Sequence, residues 1–121
     1  HAVNDAFKLV VTEWQMRTVD GEQVPNDHDD RVYDDAVIAR LRTEIHTAIE
    51  PLIAEAAEAV PRLAGYRPRL VTALDALEAG NGEMFAHPLK DSYHTVWFEL
   101  HEELIRLAGR NRADEAAAGR A

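Results

Sequence analysis

Apolar residues recur three and four positions apart along most of the chain, and proline or glycine marks most of the breaks in that rhythm. Val3, Phe7, Val10, Val11 and Trp14 form one such stripe, which predicts a first helix from about Val3 to Thr18 with Asn4 or Asp5 in its opening turn. Asp20-Gly21 should stop it. The polar stretch Asp20 to Asp30, broken by Gly21 and Pro25, is expected to be a loop. A second helix begins near Asp29 or Asp30. Ile38, Leu41, Ile45, Ala48 and Leu52 follow at 3-4-3-4 spacing, a short seam of the kind that packs helix against helix. Pro51 interrupts it, yet Leu52, Ile53, Ala56, Ala57 and Val60 keep a helical period. Proline in a helix removes one hydrogen bond and crowds the preceding turn. A kink at Pro51, or a break there, is therefore predicted.

Pro61, Gly65 and Pro68 punctuate the next stretch. Pro68 suits the first turn of a third helix carrying Leu70, Val71, Leu74 and Leu77, with Gly80 as its left-handed cap. Gly80 to Lys90 reads as a loop. Asp91 or Ser92 should cap a fourth helix ending at Gly109. The tail from Arg110 to Ala121 is rich in alanine and charge and is expected to fray or stay disordered. Alternating apolar and polar runs are lacking, so strands are not expected. The expected architecture is an all-α fold: a bundle of about four main helices in one domain, residues 1–109, followed by the tail. Phe7, Trp14, Leu41, Ile45, Leu74, Trp97 and Leu100 are its expected core or interface residues.

The fourth helix has a wider apolar arc than a bundle helix needs. Tyr93, Val96, Trp97, Leu100, Leu104 and Leu107 occupy one face. His94, Phe98, His101 and Ile105 occupy the adjacent one. Either this helix lies centrally in its own bundle, or the second face packs against another subunit. These four residues are the candidate interface.

Composition narrows the chemistry. With 46% apolar residues among 121, the chain can build a core. No apolar run is long enough to span a membrane, no signal peptide is visible, and the cytoplasm is the expected compartment. A net charge of −9 argues against a nucleic-acid partner. Small arginine groups at Arg62, Arg67 and Arg69, and at Arg106, Arg110 and Arg112, read as solvated helix ends. The absence of cysteine rules out thiolate metal sites, iron–sulfur clusters and a cysteine nucleophile. Six histidines invite a metal reading, but the Glu-x-x-His pairs of di-metal bundles are missing. His46 with Glu50, and Asp91 with His94, are the helical pairs that remain. No metal or cofactor is expected on this chain. The segment from Asn26 to Asp30 looks calcium-like but lacks the glycine and the terminal glutamate of an EF-hand loop. Ser92, the only serine, sits where a cap is needed, and Gly80-Asn81-Gly82 lacks the lysine of a phosphate loop.

Ser92-Tyr93-His94-Thr95-Val96-Trp97, followed by Leu100, Leu104 and Ile105, resembles the Ser-Tyr-Tyr-x-x-Trp-Leu helix in the helical N-terminal part of nitrile hydratase and thiocyanate hydrolase β-type subunits. The run from Asn4 to Val11 is similar to the first helix of those proteins. The resemblance implies a helical, non-catalytic subunit or accessory module, with cobalt or iron held by the cysteine-bearing catalytic subunit. A catalytic subunit or a second copy of the chain is then the expected partner. Two other expectations stand beside it: a self-contained helical enzyme or metal-binding bundle using His46, Glu50, His94 and His101, and a homodimeric helical interaction protein.

Overall fold

The computed structural model describes residues 2–117, with side-chain surroundings for residues 2–109. Five α-helices are arranged in the order α1 (Ala2–Gln15), α2 (Arg31–Arg40), α3 (Thr47–Ala59), α4 (Tyr66–Glu78) and α5 (Tyr93–Ala117). A π-helical turn, Leu41–His46, joins α2 to α3 without leaving helical backbone, so these three segments are the single long second helix of the sequence. The fold is the expected all-α bundle of about four helices. Phe7, Trp14, Leu41, Ile45, Leu74, Trp97 and Leu100 all lie in one buried cluster.

The second helix is interrupted, but one turn before Pro51 rather than at it. Pro51 lies inside α3. Through the π turn each amide reaches one residue further back than in an α-helix; the Thr47 amide, for example, bonds Arg42 O. The effect is one inserted residue. Burial up to Ile45 follows the expected seam, through Ile38 and Leu41. Beyond the turn it moves to Ile49, Ile53 and Ala56. Leu52, expected in the seam, is 39% exposed, whereas Ile53 is 1% exposed.

Two short strands correct the expected loop. β1 (Met16–Val19) and β2 (Glu22–Pro25) pair antiparallel, with Val19 opposite Glu22. Asp20 and Gly21 both have positive φ, 52° and 82°, as a two-residue type I′ turn demands, and Asp-Gly is among the dipeptides that best tolerate it. The first helix consequently ends at Gln15 rather than near Thr18. Its last carbonyls are taken up from a distance. The Tyr33 hydroxyl reaches Glu13 O at 2.6 Å and Met16 O at 2.9 Å. The Asn26 side-chain amide donates to Trp14 O at 2.8 Å, and the Asn26 backbone amide to Gln15 O at 2.8 Å. A helix end left without such partners would bury unsatisfied acceptors.

The other ends follow expectation more closely. Asp30 caps α2 by accepting from the Tyr33 amide. After α4, Gly80 takes φ 104°. Gly80 N bonds Leu77 O and Asn81 N bonds Ala76 O, the paired bonds of a Schellman cap. Ser92 Oγ accepts from the Thr95 amide at 3.3 Å and caps α5. That helix passes its expected end at Gly109 and continues to Ala117, so residues 110–117 of the expected tail are helical; its last residues, 118–121, lie outside the described residues. Ion pairs fasten the outside. Arg42 reaches Glu78 and Asp75, and Arg69 reaches Asp91 and Glu99. Arg62 pairs with Glu103 and Arg67 with Glu50, so these arginines bind their own chain. Among the described residues, no helix is long and apolar enough to cross a membrane.

Candidate functional site

α5 meets α1 through an aromatic junction. Phe7 stacks on Trp97 with ring centres 4.3 Å apart and stands 5.9 Å from Tyr93. The Trp97 indole N–H donates to Asn4 Oδ1 at 3.0 Å, satisfying the one polar atom of a buried ring. Tyr93, Val96, Trp97 and Leu100 are all buried, so the first two turns of that face are core, while Leu104 and Leu107 further along it are only partly buried.

The second face borders an open groove of about 570 Å³ between α1 and α5. Phe7 and Val11 line it from α1; His94, Phe98 and His101 line it from α5. Three of the four candidate interface residues therefore share one trough, and Ile105 lies one helical turn further along. Phe98 is 60% exposed and Ile105 47%. His94 is half-buried against Phe7, ring centres 5.8 Å apart, and desolvation lowers its pKa below the ordinary 6.5. Past Leu100 no described residue of α5 is buried, although Leu104, Ile105 and Leu107 continue at helical spacing. The apolar stripe thus outruns the bundle that covers its first half.

His46 and Glu50 do come together, with Nε2 and Oε1 3.3 Å apart. Their other partners account for them fully. His46 Nδ1 lies 2.9 Å from the Tyr93 hydroxyl, and Glu50 pairs with Arg67. If Tyr93 donates to Nδ1 and Nε2–H donates to Glu50, a neutral imidazole satisfies every atom in the chain of bonds. Burial correspondingly depresses the His46 pKa, against the opposing pull of Glu50. His94 and His101 do not join this pair in a metal-binding set. Among the described residues, no group of three or more His, Asp or Glu side chains is placed to hold a metal ion.

A second cluster is invisible in sequence periodicity. His28, on left-handed backbone with φ 64°, places Nδ1 2.9 Å from Asp34 Oδ2. Asn26 Nδ2 lies 2.9 Å from Asp34 Oδ1 and 2.8 Å from Trp14 O. Counting hydrogens assigns the tautomer. Both Asn26 amide protons are used by Trp14 O and Asp34 Oδ1, so the bond to Asp34 Oδ2 takes a proton from His28 Nδ1. That leaves Nε2 as the ring nitrogen not bonded to Asp34. The imidazole centre lies 4.5 Å from that of Trp14, which stacks at 5° on the buried Phe85. From the sequence, His28 reads as part of an acidic segment and Asp34 as a charge near a helix start. Their six-residue separation crosses a loop–helix junction, so neither helical nor strand spacing relates them.

Compared with known proteins, the chain matches no family model, no curated protein and no solved structure.

Proposed function

We propose that the chain is a non-catalytic helical subunit or accessory module that docks on a protein partner through the α1–α5 groove. The observation that carries this reading is Phe98: a large aromatic side chain, 60% exposed, on the rim of a trough whose floor is the Phe7–Trp97 stack. The trough is built from residues four and seven apart on two helices, which gives it the linear form that receives an apolar helix. Burying Phe98 and Ile105 would supply the aromatic and aliphatic contact on which interface energy concentrates. The occupant is taken to be an apolar helix of a catalytic subunit. The similarity of Ser92 to Trp97 to nitrile hydratase and thiocyanate hydrolase β-type subunits favours a partner that carries the cobalt or iron centre, and a chain without cysteine suits that division of labour.

The test is solution mass by light scattering, for the chain alone and co-expressed with the product of its neighbouring gene. The reading expects a heteromeric complex that is lost in a Phe98→Asp, Ile105→Asp double variant whose melting temperature stays near that of the parent. A chain that stays monomeric in both settings overturns it. A homodimer formed without any partner replaces the accessory role with self-association. A double variant that unfolds places the face in the chain's own core.

A further inference from the structure

The end of α1, the start of α2 and the Gly82–Met84 turn border a second open cavity, of about 550 Å³, within the size range of small-molecule sites. Its apolar walls are Trp14, Ile38 and Leu77. Its polar lining includes His28, Arg31 and Asp35. Three features of these groups bear on what the cavity can hold. Asp34 has both carboxylate oxygens engaged, by Asn26 and by His28, so it orients the imidazole through Nδ1 and leaves Nε2 outside that bond. Nε2 has no partner among the described residues. Arg31 and Asp35 lie four apart on α2 and border the same cavity, yet neither forms an ion pair with any described residue. At the same spacing on the same helical stretch, Arg40 and Glu44 approach to 4.0 Å.

The cavity therefore offers an uncommitted cation, an uncommitted anion and the outer imidazole nitrogen of His28 beside an apolar wall. A purely anionic ligand would leave Asp35 opposed, and a purely cationic one would leave Arg31 opposed. We propose that this cavity binds a small zwitterion, a free α-amino acid with an apolar side chain. Arg31 takes the carboxylate by charge-assisted hydrogen bonds. Asp35 and His28 Nε2 accept from the ammonium. Ile38 and Leu77 cover the side chain. Binding of this kind needs no chemical step, and the cavity shares no lining residue with the α1–α5 groove, so the ligand site and the docking face succeed or fail separately.

The experiment titrates the full chain, ¹⁵N-labelled, with L-leucine, with L-leucinamide, which lacks the carboxylate, and with 4-methylpentanoate, which lacks the amine. The Trp14 indole N–H is the reporter. The proposal expects saturable shifts with leucine and affinities about tenfold weaker or worse for both analogues. Arg31→Gln and Asp35→Asn, at exposed positions that leave the remaining spectrum unchanged, should each weaken leucine by a similar factor. His28→Gln should weaken leucine and leucinamide together. No saturable shift up to the solubility limit of leucine overturns the proposal. So does equal binding of all three ligands, or leucine binding indifferent to Arg31→Gln and Asp35→Asn.

Discussion

His46 Nδ1 and the Tyr93 hydroxyl meet 2.9 Å apart in the core, joining the π turn of the second helix to the first turn of α5. Both side chains are buried, and burial raises the Tyr93 pKa and lowers that of His46. The pair is consequently neutral on both sides, a hydrogen bond with no charge to desolvate. Adding a proton to His46 would turn Nδ1 into a donor and leave the Tyr93 O–H proton without this acceptor.

The pH dependence of stability follows from that pair. The folded His46 pKa lies below its ordinary 6.5, so the unfolded chain binds the proton more readily. Its contribution is present above pH 6.5 and is lost as pH falls through the depressed folded value. His94 adds to the same trend. A second loss comes at more acidic pH, where Glu50, Glu78 and Asp91, held below their usual pKa by Arg67, Arg42 and Arg69 respectively, become protonated. Urea unfolding midpoints should decline on going from pH 7.5 to 5.5. His46→Gln, which can accept from Tyr93 and donate to Glu50 without titrating, should show a shallower decline. An unchanged slope in that variant would remove His46 from the account.

The one-residue shift across the π turn separates two adjacent residues sharply. Ile53→Ala should cost about 2–5 kcal/mol, the range for truncating a buried aliphatic side chain. Leu52→Ala should cost under about 1 kcal/mol, because that side chain is already partly in water. The reverse order in denaturant unfolding would restore the uninterrupted seam.

Tyr33 closes the C-terminal end of α1 through a hydroxyl shared by two carbonyls. Tyr33→Phe keeps the ring, including its contact with the Arg17 guanidinium 4.8 Å from the ring centre, and removes only the donor. The expected loss is about 1–2 kcal/mol. Amide exchange should speed up in the last turn of α1 and in the hairpin ahead of the rest of the bundle. Exchange that rises uniformly would show that the hydroxyl does not act locally.

Gly80→Ala tests the cap after α4. A Cβ there would meet nothing within 4 Å, so its cost is backbone conformation alone, about 1 kcal/mol for an L-residue at this φ. A neutral substitution, read from the denaturation midpoint, would mean that the cap relaxes to another conformation.

Much of the bundle was legible along the chain because helices that bury one side repeat that side every three or four residues. The stripes of Phe7 and Trp14, of Leu70, Leu74 and Leu77, and of Tyr93, Trp97 and Leu100 are set by local backbone geometry. So are the Asp30 and Ser92 caps and the Gly80 stop, each within a few residues of the bonds it makes. The second face of the fourth helix was equally visible, since His94, Phe98, His101 and Ile105 differ from the core stripe only in phase. The Asp20-Gly21 turn carried a hairpin signal too, masked because its strands are four residues long and lack apolar alternation.

Contacts between segments decided the rest. The sequence is compatible with Leu52 or Ile53 in the seam, and the chain chose Ile53 by inserting a π turn that also carries His46 inward to Tyr93. Asn26, His28 and Asp34 gather around Trp14 because the hairpin returns the chain to the end of α1, where open carbonyls need donors. Arg31 and Asp35 acquire a cavity for the same reason. Periodicity records which side of an element avoids water. It carries no record of which polar groups from distant segments complete one another's hydrogen bonds, and on this chain those groups build the cavity proposed as a ligand site.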